Sequence, residues 1–251
     1  MKKIHLILFL ALTTCFLACK SKQTNTTISN MDFNEKTFQP YFKGGSNDSF
    51  WSIEFNDTFL VYKDLNGTRD VYNITAVNMA QDANVKQIST EKGKQKIRIT
   101  VQYNKCTNKT TSKINDYTLD AVLTANNKEQ NLNGCGDYVI PVNLFGKWTL
   151  TMFKGNEIPV TKYTKTPYIA FENEDKYVTG NTGCNGYNGP IYFDNNYIRF
   201  SNLAVTRKAC IHENMEHDFL KELKTITKYK VINNELHFYT ADELKMIFKK
   251  N

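Results

Sequence analysis

Apolar side chains in this chain recur with a period of two, which commits most of it to antiparallel sheet. Trp51, Ile53 and Phe55 alternate with Ser52, Glu54 and Asn56, and Ile97, Ile99, Val101 and Tyr103 alternate with Lys96, Arg98, Thr100 and Gln102. Successive side chains of a strand point to opposite faces, so such a segment buries one face and wets the other. The alternation resumes at Trp148-Thr149-Leu150-Thr151-Met152 and predicts closing strands at Lys228–Ile232, 236–239 and 244–248. Asn66-Gly67, Asn126-Asn127 and Asn233-Asn234 provide the residues that tight hairpins require. One segment departs from this period. Ile211, Met215, Phe219, Leu223 and Ile226 recur at helical spacing, with Glu213 and Glu216 near its start and Lys221 and Lys224 near its end. That charge order suits the helix dipole, and the stripe reads as core.

A break near residues 141–144 divides the chain into halves, each with one tryptophan and one pair of cysteines. The fold class expected is mainly β, or α+β: two small antiparallel β domains, at 37–140 and 143–251, the second with a single packed helix. Each is long enough for a core of its own.

The N-terminus supplies an address. Lys2 and Lys3 precede an apolar run over residues 4–17, which reads as a signal peptide and is short for a membrane span. The run ends Phe16-Leu17-Ala18-Cys19-Lys20, which resembles a bacterial lipobox, with the small Ala18 before the cysteine that cleavage would expose. Residues 1–18 are read as the leader and Cys19 as the acylated (palmitate-type) anchor, since stable attachment takes more than one chain. Removing the leader lowers the formal charge of +7 by two lysines. Residues 19–36 are read as a polar tether. It lacks both an acidic cluster behind Cys19 and an Asp beside it, so the resemblance implies an outer membrane and a chain facing the periplasm.

Cysteine usage fits that compartment. With Cys15 in the leader and Cys19 acylated, Cys106, Cys135, Cys184 and Cys210 remain. Four cysteines allow three pairings, and proximity within each half favours Cys106–Cys135 and Cys184–Cys210. A redox or metal reading has little support, because no Cys-x-x-Cys occurs and no histidine stands at ligand spacing.

The sequence Gly180-Asn181-Thr182-Gly183-Cys184-Asn185-Gly186-Tyr187-Asn188-Gly189 carries four glycines three residues apart. With Leu144-Phe145-Gly146-Lys147-Trp148 before it and Thr206-Arg207-Lys208-Ala209-Cys210 after it, the C-terminal half resembles the META (HslJ-like) domain of bacterial envelope proteins. Trp148, Gly180, Gly183, Asn185, Gly186, Tyr187, Gly189 and Thr206 carry the resemblance. The glycines read as a tightly wound crossing with Tyr187 packed near it. Phe42-x-Gly44, Phe50-Trp51-x-Ile53, Cys106 and Leu132-Asn133-Gly134-Cys135 resemble a small uncharacterised family of envelope lipoproteins. Neither resemblance brings a catalytic residue. The META resemblance implies heat-shock and stress response, antibiotic tolerance, secretion and virulence, which are phenotypes rather than mechanisms.

Chemical motifs are sparse. His212 and His217 are five apart and do not share a helix face, and His237 alternates with Leu236 and Phe238 as an outward strand position. The glycine run lacks the Lys-Ser/Thr ending of a phosphate loop, although Arg207 and Lys208 beside it could attract an anion. No Gly-x-Ser-x-Gly elbow occurs. Lys86, Lys92, Lys94, Lys96 and Arg98 crowd a hairpin and read as a solvated sheet edge, not a nucleic-acid surface. The sequence therefore points to a non-enzymatic lipoprotein with no cofactor or metal, touching the membrane through its lipid and an envelope protein through its surface. The alternative is a periplasmic binder of a lipid or other small hydrophobic or anionic ligand inside a barrel-like sheet, suggested by 14 Tyr and 16 Phe.

Overall fold

The computed structural model describes residues 32–46, 51–80, 84–109, 111–158, 165–172, 175–210 and 214–251. The leader, Cys19, Phe50, Ile211, His212, Glu213 and most of the polar segment lie outside these residues.

The first barrel has eight strands: β1 (Phe42–Ser46), β2 (Ser52–Phe55), β3 (Phe59–Lys63), β4 (Arg69–Met79), β5 (Val85–Glu91), β6 (Lys96–Thr107), β7 (Ile114–Ala125) and β8 (Lys128–Tyr138). Each pairs antiparallel with its sequence neighbour, and β1 closes the ring on β8 from Phe42↔Tyr138 to Ser46↔Gly134. The period-two face turns inward: Phe42, Ile53, Phe55, Leu60, Ile74, Ile97, Ile99 and Leu119 are almost wholly buried. Tyr103 continues the inward series but is 49 % exposed, because it stands at the mouth of the barrel, opposite Tyr117. Asn126 and Asn127 both take positive φ (50° and 60°) in the β7–β8 turn, as a two-residue hairpin demands. Cys106 on β6 is bridged to Cys135 on β8. Ahead of the barrel, the Phe33 ring packs edge-on against Phe59, and Arg69 lies over it and pairs with Glu35 at 2.7 Å. Packed structure thus begins within the segment read as tether.

Closure changes the reading of the lysine cluster. β5 and β6 do form a hairpin, but each is paired on both sides, so this barrel presents no edge to protect. Lys86 is largely withdrawn from solvent, as described below.

The second barrel follows a short connection, in which the buried Ile140 precedes a single 3-10 turn at Val142–Leu144 that buries Leu144. Its strands are β9 (Gly146–Phe153), β10 (Asn156–Glu157), β11 (Tyr168–Phe171), β12 (Tyr177–Asn181), β13 (Gly186–Asp194), β14 (Tyr197–Phe200), β15 (Ala204–Val205), β16 (Lys228–Ile232), β17 (Glu235–Thr240) and β18 (Glu243–Lys250). The order runs β9-β11-β12-β13-β14-β16-β17-β18, and β18 returns to β9. β10 and β15 flank the ring on β9 and β13. The seam is weakest where β14 meets β16 through one pair, Tyr197↔Lys228. There the chain leaves the sheet to form α1 (Glu216–Leu223). Phe219 and Leu223 of this helix, with Met215 and Ile226 flanking it, are the expected apolar stripe, and all four are buried. The Phe219 ring meets Tyr187 and Phe248, so the helix plugs the barrel rather than offering a face to a partner. Trp148, Phe171, Phe193, Phe238 and Phe248 fill the rest of the interior, and that space holds side chains where the alternative reading placed a ligand. Glu222, in the last turn, is the exception to the apolar stripe. It is buried and paired with Lys154 at 2.9 Å and Lys245 at 4.0 Å.

Cys184 is bridged to Cys210, the second of the two pairs favoured by the sequence. Replacing Cys184 with Ser should lower the stability of this barrel by about 3.5 kcal/mol, the cost of releasing a loop of this length. Trp148 emission in a Trp51→Phe background reports that barrel alone, since the chain has two tryptophans. An unmoved denaturation midpoint would mean the bridge contributes nothing to the folded state.

Candidate functional site

The glycine run is a β-hairpin, not a crossing. Residues 177–181 form β12, 186–194 form β13, and only Thr182 to Asn185 make the loop between them. Gly183 has φ +100°, a conformation that suits glycine, and Gly180 is needed for space, because the Tyr187 ring lies where its Cβ would stand. Gly186 has neither constraint, its nearest neighbour to a Cβ being Gly180 O at 3.7 Å.

Asn185 is the hub of this corner. Its Oδ1 accepts from Thr206 Oγ1 at 2.8 Å and from the Lys208 amide at 2.8 Å, and its Nδ2 donates to Lys208 O and to Glu216 Oε1. Asn185 and Thr182 are both buried. Thr182 Oγ1 donates to Glu216 Oε2 at 2.7 Å, and the Asn185 amide is shared between Thr182 Oγ1 and the same carboxylate. Asn181 Oδ1 accepts from the Gly183 amide, and Thr206 Oγ1 from the Gly186 amide. Amides that could have cradled a phosphate are therefore answered from within, and the Glu216 carboxylate occupies the anion's place. Arg207 and Lys208 are exposed on the outside of this corner. The motif residues build a structural node that ties hairpin, arm and helix together. Glu216, which completes it, was visible in the sequence only as an acid near a helix start.

Cys184 Sγ, Cys210 Sγ and a Glu216 oxygen lie within 4.8 Å of one another. With both sulfurs joined in the bridge, neither is the thiolate that a metal needs. His217 is exposed on α1, and His237, on the face opposite Leu236 and Phe238, contacts Glu235 at 3.1 Å. These two histidines do not converge with the cysteines.

A second arrangement lies where the barrels meet. Lys86 reaches from β5 to Tyr138 Oη at 2.5 Å and to Asp194 of the second barrel at 3.3 Å, with its side chain 12 % exposed. Tyr117 and Tyr192 join hydroxyls across the junction at 3.4 Å, Lys176 pairs with Asp116, and Asn195 Nδ2 donates to Asp57 Oδ1 at 3.1 Å. Charged, buried pairing of this kind fixes register between surfaces more than it adds stability. Burial pushes the Tyr117 and Tyr138 phenols far above their ordinary range, helped by the Tyr192 hydroxyl for the first and by Asp194 for the second. Both therefore keep their protons.

Lys86, Tyr117, Tyr138, Tyr192 and Asp194 line a cleft of about 540 Å³. Its rim carries Tyr103, Met79 at 63 % exposed, and Arg199, whose guanidinium lies 4.6 Å over the Tyr192 ring. The cleft belongs to neither barrel alone. Alternation placed Tyr103 inward, but nothing local in the sequence brings it to Tyr117, Tyr192 and Arg199.

Comparison with known proteins agrees with the C-terminal reading. No curated protein and no solved structure matches the chain. The family model for the META domain matches residues 142–251, which span the 3-10 turn, the second barrel and its helix. The C-terminal barrel of this chain is a META domain.

Proposed function

We propose that this protein is a non-enzymatic lipoprotein of a bacterial envelope, held by acyl chains on Cys19 to the outer membrane and facing the periplasm. It supports envelope integrity under stress by seating a segment of an envelope protein between its two barrels. The observation that carries this reading is the composite cleft, where Tyr103 and Met79 stand exposed beside Arg199 outside either core. Monomeric surfaces rarely leave large apolar and aromatic groups grouped in a concavity unless something covers them. The Lys86 charge is met by Asp194, whereas Arg199 rests on a ring, so the cleft suits an apolar segment carrying a carboxylate.

Two experiments test the reading. Cys19→Ser should move the protein from the membrane to the soluble fraction, and continued sedimentation with membranes would remove the anchor. Tyr103→Ala with Arg199→Ala should keep the wild-type melt while reproducing the detergent and antibiotic sensitivity of a strain lacking the protein. Full complementation by that double variant would contradict the role given to the cleft.

A further inference from the structure

The first barrel has a second mouth, at the end of its strands remote from the META domain. It opens into a cleft of about 560 Å³, a size that accommodates one or two sugar rings. Trp51, Tyr62 and Tyr72 bring aromatic rings to its wall, with Asp64, Gln95 and Gln130 beside them. Rings and planar amides together suit a hydroxylated ring, whose C–H face packs on the aromatics while its hydroxyls exchange hydrogen bonds with the amides.

Two further observations narrow the ligand. The charges at this mouth are already engaged: Asp70 is paired with Lys92, and Asp64 Oδ1 accepts from the amides of Asn66 and Thr68 at 2.9 and 2.8 Å. Both charged groups of the lining are carboxylates, so a neutral ligand fits this balance better than an anion. The indole Nε1 of Trp51 is buried and has no hydrogen-bond partner among the described residues. Buried donors are nearly always answered, so this one calls for an acceptor oxygen. Tyr72 Oη donates to Gln95 Oε1 at 3.3 Å, and burial, aided by Asp70, pushes its pKa up to about 12, which keeps it a donor.

We propose that this mouth binds a neutral N-acetylated saccharide, with the sugar ring against the aromatic wall and the acetamido oxygen accepting from the Trp51 indole. The site is separate from the junction cleft and does not depend on what that cleft holds.

Isothermal titration of the purified full-length protein with N,N′-diacetylchitobiose, and with cellobiose as the analogue lacking acetamido groups, tests the proposal. Chitobiose should bind with a Kd below ~1 mM and cellobiose at least ~10-fold more weakly. Trp51→Phe keeps a ring but removes the donor, and should bring chitobiose down to the affinity of cellobiose. Gln130→Ala, at an exposed rim position, should weaken chitobiose several-fold with no change in the melt. No heat from either sugar at ~10 mM, or equal binding of chitobiose by wild type and Trp51→Phe, would overturn the proposal. With chitobiose bound, co-sedimentation with isolated cell-wall sacculi would assign the sugar to the polymer, and its absence would assign it to a soluble fragment.

Discussion

Gly180→Ala should destabilise the META barrel by about 3–5 kcal/mol, whereas Gly186→Ala should cost less than about 1 kcal/mol. A Cβ at position 180 would stand 2.3 Å from Tyr187 Cζ and 2.5 Å from the Tyr168 carbonyl oxygen. The second of these is backbone in the paired strand β11, and it cannot move without breaking the ladder that holds Ile169↔Gly180. Tyr187 cannot swing aside either. It is buried against Phe219 and donates its hydroxyl to Tyr168 O at 3.1 Å. At position 186 the nearest atom is 3.7 Å away, an ordinary contact. Denaturant titration of both variants, read from Trp148, measures the difference. Similar losses would mean that the run acts through chain flexibility rather than through one close approach.

Asn185→Ala should cost the same barrel about 3–4 kcal/mol. The substitution leaves the Lys208 amide, the Lys208 carbonyl and the Glu216 carboxylate each short of a partner in a half-buried corner. Each such loss costs roughly 1–3 kcal/mol, and the sum falls short of additive because the groups share one network. Asn185→Asp is the sharper variant. It keeps the shape but sets a second carboxylate beside Glu216, so its pKa should rise on folding. Such an acid destabilises the fold only where it must ionise, and the deficit should be large at neutral pH and shrink in mild acid. A deficit that stays constant with pH would show that Glu216 is not the neighbour that matters.

Local pattern made much of this fold legible. The Asn126-Asn127 and Asn233-Asn234 turns stand where they were expected. Of the stripe from Ile211 to Ile226, the described residues Met215, Phe219, Leu223 and Ile226 are buried, with only the middle two inside α1. Each of these features depends on residues close in sequence. The closing strands differ only by a residue or two at their ends. What stayed hidden is non-local. Ring closure of β1 on β8 and of β18 on β9 carries no mark in either strand, and it removed the edge that the lysine cluster was expected to guard. Lys86 reads as one of several lysines and becomes a buried partner of Asp194 only when the two barrels dock. Glu216 and Glu222 look alike as acids of a short helix. One completes the Asn185 corner and the other lies buried between Lys154 and Lys245. The glycine motif forms a hairpin where a tightly wound crossing was expected, and its work is divided unequally among its glycines.

The most direct test of the proposed role is site-specific photo-crosslinking in living cells, with a benzophenone amino acid at Tyr103 in the junction cleft and, separately, at Tyr177, which is similarly exposed on the META barrel outside that cleft. A protein working through the cleft predicts one discrete adduct from position 103, absent from position 177 and lost when Arg199→Ala is combined with it. No adduct from position 103, or the same adducts from both positions, would contradict the account.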